Sequence, residues 1–262
     1  MDLIIQILIQ NWYAVVIILF FIVLGAFKPK IKGFIGEAAV SSRLSKLNSD
    51  NYKVINNLML RVGNKTTQID HVVVSDYGVF VIETKNYKGW ILGNEHDDYW
   101  RQQIYKRKEK LYNPIKQNYG HVMALKEILS TYEDIKYIPI VTFTAEADLK
   151  INTKSEVIYT TKLLKAIEKY SDTNISHKDK EDIYNKLLSL NVDSKDNRKT
   201  HVQAIHNNVK EKNNKINNDI CPRCGGNLVT RKGKYGSFIF LSADLQLHKS
   251  LRGGKVDEGY KK

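Results

Sequence analysis

The chain has 262 residues, enough for one ordinary domain with extensions. An apolar share of 42% and a charged share of 26% exclude a chain too polar to bury a core. A net charge of +13 points to polyanionic partners, nucleic acid or an anionic membrane surface, with mere solubility as the plain alternative. Two cysteines make no disulfide framework; as one C-x-x-C they suit a metal site or a redox pair in a reducing compartment.

Residues 3–27 are apolar apart from Gln6, Gln10 and Asn11. A helix of about 25 residues spans roughly 37 Å, more than a bilayer core of about 30 Å. A cleaved signal peptide needs a basic start and a small-residue cleavage site. Here Asp2 precedes the segment, and Lys28, Lys30 and Lys32 follow it. A buried core helix would show a polar face, which residues 12–27 lack. The expectation is a single-pass anchor in the cell membrane, with the N-terminus outside and everything after Lys28 cytoplasmic.

Residues 33–47 carry a helical apolar stripe with one early acid, Glu37. Residues 52–60 read as a strand, then a turn, a second strand from Gln68, the turn SDYG, and a third strand over 79–85. Gly78 supplies the backbone freedom of that turn. A short strand is expected at 90–92. Asn113 followed by Pro114 marks a helix start, with an inward stripe of Ile115, Tyr119, Val122, Leu125 and Leu129. IPIVTF at 138–143 is a buried-type strand, 157–159 a further one, and 162–170 and 180–190 are amphipathic helices. Residues 191–219 lack apolar periodicity and read as a flexible polar linker. A small module over 220–240 and an atypical tail over 241–262 complete the chain.

The strand pair QIDHVVV and GVFVIETK raises a chemical question. Alternation places Val79, Val81, Glu83 and Lys85 on one strand face, and Asp70 opens the neighbouring strand. Two carboxylates close together suit Mg²⁺, a hard cation that prefers oxygen. A lysine beside them can orient water or offset charge on a phosphate. The competing reading is a structural Glu83–Lys85 pair that shields a sheet edge.

Four motifs in order, GEAAV at 36–40, QIDHVVV at 68–74, GVFVIETKNYKG at 78–89 and NPIKQ at 113–117, resemble the nuclease-related domain, NERD. That family is considered related to the PD-(D/E)xK restriction-endonuclease-like superfamily. The resemblance covers residues 32–143 and implies an α/β fold, a mixed sheet flanked by helices. It also implies Asp70 and Glu83 as ligands of Mg²⁺ or Mn²⁺, Lys85 as catalytic lysine, Glu37 as an acid from the first helix, and Gln117 as the later glutamine.

Arg101, Lys106, Arg107, Lys108 and Lys110, interleaved with Tyr99, Trp100, Tyr105 and Tyr112, are candidates for nucleic-acid contact. The bland alternative is a solvated helix face with Trp100 and Tyr112 partly in the core. CPRCGG from Cys221, with LVTRKGKYGSF after it, resembles the first half of the C4 zinc ribbon of bacterial type I topoisomerases. That family continues with a second cysteine pair, which this chain lacks. Cys221 and Cys224 therefore offer Zn²⁺ half a site, and the tail from about Phe240 is expected to leave the ribbon unable to close. His71 is expected on the strand face opposite Asp70, as a satisfied or exposed histidine. Together these readings describe a membrane-anchored, metal-dependent nuclease acting on DNA. The alternative is a tethered, non-enzymatic DNA-binding protein. Oligomeric state, DNA versus RNA and strandedness are not legible.

Overall fold

The computed structural model describes residues 12–241, apart from 64, 234 and 235; for residues 14, 15, 18, 19, 21–31, 195, 232, 233 and 236–238 it describes only the backbone. The chain divides into two compact units, Met1–Asp193 and Ser194–Lys262.

In the first unit, α1 (Trp12–Leu44) leads into β1 (Tyr52–Val62), β2 (Lys65–Ser75) and β3 (Gly78–Lys85). These strands form an antiparallel meander, and β7 (Tyr137–Phe143) and β9 (Glu156–Tyr159) continue it in parallel, in the order β1-β2-β3-β7-β9. Strand β3 is buried along almost its whole length, as expected of a central strand covered on both faces. Pro139 is tolerated in β7 because β9 pairs only from Ile140 onward, so its missing N–H costs no ladder bond on that side.

The crossover from β3 to β7 carries three strands of a second, four-stranded sheet and α2 (Pro114–Ile128), and the fourth strand follows β7. That sheet comprises β4 (Gly89–Asn94), β5 (Tyr99–Ile104), β6 (Arg107–Tyr112) and β8 (Ala147–Asn152), in the order β6-β5-β4-β8. A 3-10 turn (Thr160–Lys162), α3 (Leu163–Glu168) and α4 (His177–Ser189) complete the unit.

Alternation along the five-stranded sheet makes two cores. Val72, Val74, Val79 and Val81 pack with Val122 and Leu125 of α2 and Ile183 and Leu187 of α4. On the other face, Val73, Phe80 and Ile82 pack with Val40 and Leu44 of α1 and Leu163 and Ile167 of α3. Lys180, fully buried, is paid for by Asp76 Oδ1 at 2.9 Å and the Asp50 carbonyl. A third core joins the sheets, with Trp100 stacked on Phe143 at 6.3 Å between ring centroids.

In the second unit, α5 (Lys195–Asn217) precedes a hairpin of β10 (Leu228–Gly233) and β11 (Gly236–Leu241). This corrects the expected flexible linker over 191–219. Ser194 caps the helix by accepting the Asn197 N–H at 3.1 Å, and Glu211 pairs with Lys215 one turn on. Its composition resembles a linker because Val202, Ile205 and Val209 are exposed and few apolar residues are needed.

Among the described residues no helix is long and apolar enough to cross a membrane. The expected anchor, 3–27, falls partly outside them: residues 1–11 are not described, and between 12 and 27 side chains are described only at Trp12, Tyr13, Val16, Ile17 and Phe20.

Candidate active site

The site lies where β2 and β3 stop pairing. Their ladder runs from Ser75↔Gly78 to His71↔Ile82, and one step further the register brings Asp70 level with Glu83 on the face that α2 covers. There the Asp70 side chain replaces a ladder partner: its Oδ2 accepts the Thr84 backbone N–H at 2.8 Å. Glu83 is buried, and Lys85, two residues on, donates from Nζ to Glu83 Oε1 at 2.6 Å. The same ammonium donates to Gln117 Oε1 of α2 at 3.0 Å.

Helix α2 is fixed at both sheets. Asn113 Oδ1 accepts the Ile115 N–H at 2.9 Å, while its Nδ2 donates to the carbonyls of Glu95 at 2.9 Å and Asp97 at 2.7 Å. Pro114 fills the first helical position, where no N–H is needed. Asn118 then donates to the carbonyls of Val81 at 2.9 Å and Ile140 at 3.1 Å, bridging β3 to β7. Gln117 is thereby held above Lys85.

Glu37 arrives from the opposite helix. Gly36 lies against Asn86, whose Cβ would be 2.8 Å from any Cβ placed there. Asn86 donates to the Lys32 carbonyl at 2.7 Å and accepts from Thr144 Oγ1 at 2.8 Å, tying α1 to the ends of β3 and β7. Glu37 then acts electrostatically on Asp70. All five expected residues, Glu37, Asp70, Glu83, Lys85 and Gln117, thus gather around the end of β3.

His121 was not foreseen. One turn after Gln117, its Nε2 lies 3.2 Å from Glu83 Oε2 and its Nδ1 lies 2.8 Å from Thr67 Oγ1. If Nε2–H donates to the carboxylate, Nδ1 accepts the threonine hydroxyl, so one neutral tautomer satisfies both contacts. The i, i+4 spacing from Gln117 was the available signal. His71, as expected, faces the other way, with its Nδ1 2.7 Å from Asn56 Oδ1. It is buried, and that burial pushes its pKa down to about 4 despite the nearby Glu83.

The electrostatics separate the two acids. Burial pushes Asp70 up to about 8, helped by the Glu83 and Glu37 charges and opposed by the Thr84 N–H and Lys85. Burial also acts to raise Glu83, but Lys85 and His121 outweigh it and hold its carboxyl below the usual range. Burial works against the Lys85 ammonium, yet Glu83 holds its pKa above the usual value. Lys85 is therefore a charged donor and not a neutral base. Asp70 carries the excess negative potential of the cluster.

The basic candidates are divided by the register of the second sheet, and their segment is a hairpin, not the helix face that was weighed for it. Trp90, Gln103 and Lys108 pair across β4, β5 and β6, as do Leu92, Arg101 and Lys110, so Arg101, Lys108 and Lys110 share a face. Arg107 lies on the other face, ion-paired with Glu109, and Lys106 sits in the turn. Trp100 is core, its Nε1 donating to the Asn94 carbonyl at 2.8 Å, whereas Tyr99, Tyr105 and Tyr112 are exposed.

In the second unit, Cys221 N–H donates to the Gly226 carbonyl at 2.7 Å and Gly225 N–H to the Cys221 carbonyl at 2.9 Å, a tight knuckle. Backbone N–H groups of Cys224 and Arg223 lower the Cys221 thiol. Both cysteines are free, and among the described residues no group of three or more His, Cys, Asp or Glu is disposed to hold a metal, here or at Asp70. Of the atypical tail, 241–262, all but Leu241 lies outside the described residues.

An α/β unit with a mixed sheet, flanking helices and an Asp-Glu-Lys cluster at the sheet's end defines a nuclease-like class. Residues 32–144 match the nuclease-related domain. Over 184 residues the chain is 39% identical to an uncharacterized protein of Bacillus anthracis, an alignment covering 68% of this chain and 86% of that one. The chain belongs to the nuclease-related domain family. No solved structure matches it.

Proposed function

We propose that this protein hydrolyses phosphodiester bonds in DNA, with Asp70 and Glu83 holding Mg²⁺ or Mn²⁺ and Glu37 assisting. The observation that carries the proposal is the Asp70 carboxyl, pushed up to about 8 in a buried cluster whose cation, Lys85, is already spent on Glu83. A hard divalent cation suits that donor set: it prefers carboxylate oxygen, keeps several waters, and would relieve the potential that otherwise protonates Asp70. When bound it polarises the phosphodiester and supplies a nucleophile at neutral pH. Lys85, kept charged, positions the attacking water or stabilises charge growing on the phosphate oxygens. Gln117 steadies the ammonium, and His121 holds the second oxygen of Glu83. Arg101, Lys108 and Lys110 would contact the DNA backbone, with Lys106 and Arg107 at the hairpin end.

A second reading has its own support. Both Glu83 oxygens are engaged by Lys85 and His121, the pattern of a structural network, so the fold could bind DNA without cutting it. Plasmid and linear DNA incubated with the full chain in Mg²⁺, Mn²⁺ or EDTA separate the two. Metal-dependent cutting abolished by Glu83→Ala and by Lys85→Ala supports the nuclease. Salt-sensitive binding without cutting in all three proteins supports the binding module.

Residues 3–27 are proposed as the membrane anchor, with the catalytic unit cytoplasmic. Support comes from the largely apolar run, broken only at Gln6, Gln10 and Asn11, the lysines after it, and the exposure of Trp12, Val16, Ile17 and Phe20 on α1. Cys221 and Cys224 are proposed as the remnant of a zinc-ribbon DNA contact that no longer closes around Zn²⁺. One tightly held zinc per chain, lost in Cys221→Ser, would overturn that.

A further inference from the structure

A cleft of about 500 Å³ opens on the second sheet, lined by Lys88, Gly89, Trp90, Gln103, Ile104 and Tyr105. Its volume is that of small-ligand sites, about 300–1,000 Å³. None of the carboxylates lines it. Gly89, at φ +77°, lines it where β4 and β5 run close, since a Cβ there would lie 2.5 Å from the Gln103 carbonyl oxygen.

Two aromatic side chains stand at this cleft with much of their surface open: Trp90 is 50% exposed and Tyr105 is 95% exposed. Tyr105 is also held at φ +51°, in the two-residue turn between β5 and β6. Left-handed backbone at a bulky aromatic is an outlier; Gly, Asn or Asp ordinarily fill such a turn. The Tyr105 carbonyl accepts from Gln103 Nε2 at 3.4 Å while its side chain stays almost wholly in solvent, and strain of this kind gathers at binding sites. Trp90 and Gln103 share their sheet face with Lys108, Arg101 and Lys110. Asp148, which also pairs with Trp90, is neutralised by Lys150 at 3.2 Å.

We propose that this cleft takes an unpaired base of single-stranded nucleic acid, stacked between Trp90 and Tyr105. The Gln103 amide would meet the base edge, and Lys88, Arg101, Lys108 and Lys110 the flanking phosphates. Stacking rings beside a cationic track are the chemistry of strand binding, and a paired base inside a duplex cannot enter such a cleft. The proposal rests on the nucleic-acid reading above and narrows it to strands with unpaired bases.

The test is anisotropy of a labelled oligothymidylate and of a duplex of equal length, with the full chain in detergent and EDTA so that no bond is cut. Asn adopts left-handed backbone more readily than Tyr, so Tyr105→Asn should melt no lower than the parent protein. It should nonetheless bind oligothymidylate about tenfold more weakly, as should Trp90→Ala, with duplex binding unchanged. Tyr105→Phe should bind as the parent does, since stacking needs the ring alone. Unchanged oligothymidylate affinity in both Tyr105→Asn and Trp90→Ala overturns the proposal. An equal loss on duplex overturns it too, because the hairpin would then contact only phosphates. Thymidine monophosphate binding as tightly as the oligomer also overturns it, in favour of a mononucleotide pocket. Since binding is read without metal, failure of this proposal and failure of the nuclease reading are seen separately.

Discussion

Asp70 links the site to stability. Its carboxyl is raised from 3.8 to about 8 in the folded chain. Between those values the folded state binds more protons than the unfolded one, so the metal-free protein loses stability as pH rises through that window. Asp70→Asn removes the loss. The variant should match the parent near pH 4 and be more stable above pH 8, with about 5 kcal/mol as the ceiling that linkage sets, measured by urea denaturation in EDTA. Under the metal reading, Mg²⁺ should stabilise the parent increasingly up to about pH 8 and leave Asp70→Asn unmoved. His121 touches Glu83 and not the proposed metal, so His121→Ala should weaken metal affinity or activity by about 10–100-fold without abolishing it. Titration calorimetry with Mn²⁺ checks this. The Asp-Glu-Lys pattern and Gln117 were legible in the sequence through strand alternation and the helix-start signal. His121 was only half legible: its i, i+4 spacing from Gln117 puts it on the same helix face, but not opposite any particular strand residue.

The elements that aim these groups are each set by a small number of contacts. Asn113 caps α2 and stitches it to the turn over 94–98, and it is completely buried. Asn113→Ala leaves carbonyls and an N–H unpartnered, so a loss of about 2–3 kcal/mol in thermal or urea unfolding is expected. Activity should fall further than stability alone explains, since Gln117 rides on that helix. Gly36→Ala is the matching test for α1. Its Cβ would press on Asn86 Cβ, costing about 1–3 kcal/mol and displacing Glu37. The meander β1–β3 and strand β7 were readable because buried strands are apolar. The hairpin β5–β6 was not: RKEKLY buries only Leu111, and its charges hide the alternation. Helix α5 was missed for a related reason, since a polar composition is compatible with a linker until the Ser194 cap is seen to hold.

At the scale of the whole molecule the charge of +13 is the dominant property. If a basic face meets DNA, affinity must fall steeply with salt, and Arg101→Ala with Lys110→Ala should flatten the log–log slope by roughly two. Surface solubility alone would give no such change. A membrane anchor predicts that the full chain stays with the membrane after alkaline extraction, whereas a chain starting at residue 29 is released. The composition, the apolar run over 3–27, the strand alternation around Asp70 and Glu83 and the C-x-x-C at Cys221 were set by sequence alone, because each is a local pattern of polarity or ligand type. Tertiary structure decided which groups share a space: that α2 bears on the end of β3, that His121 and Lys85 divide the two oxygens of Glu83, and that Trp90 and Tyr105 flank one cleft. Such contacts join residues far apart in the chain. They depend on register, burial and crossover path, which no short stretch of sequence contains.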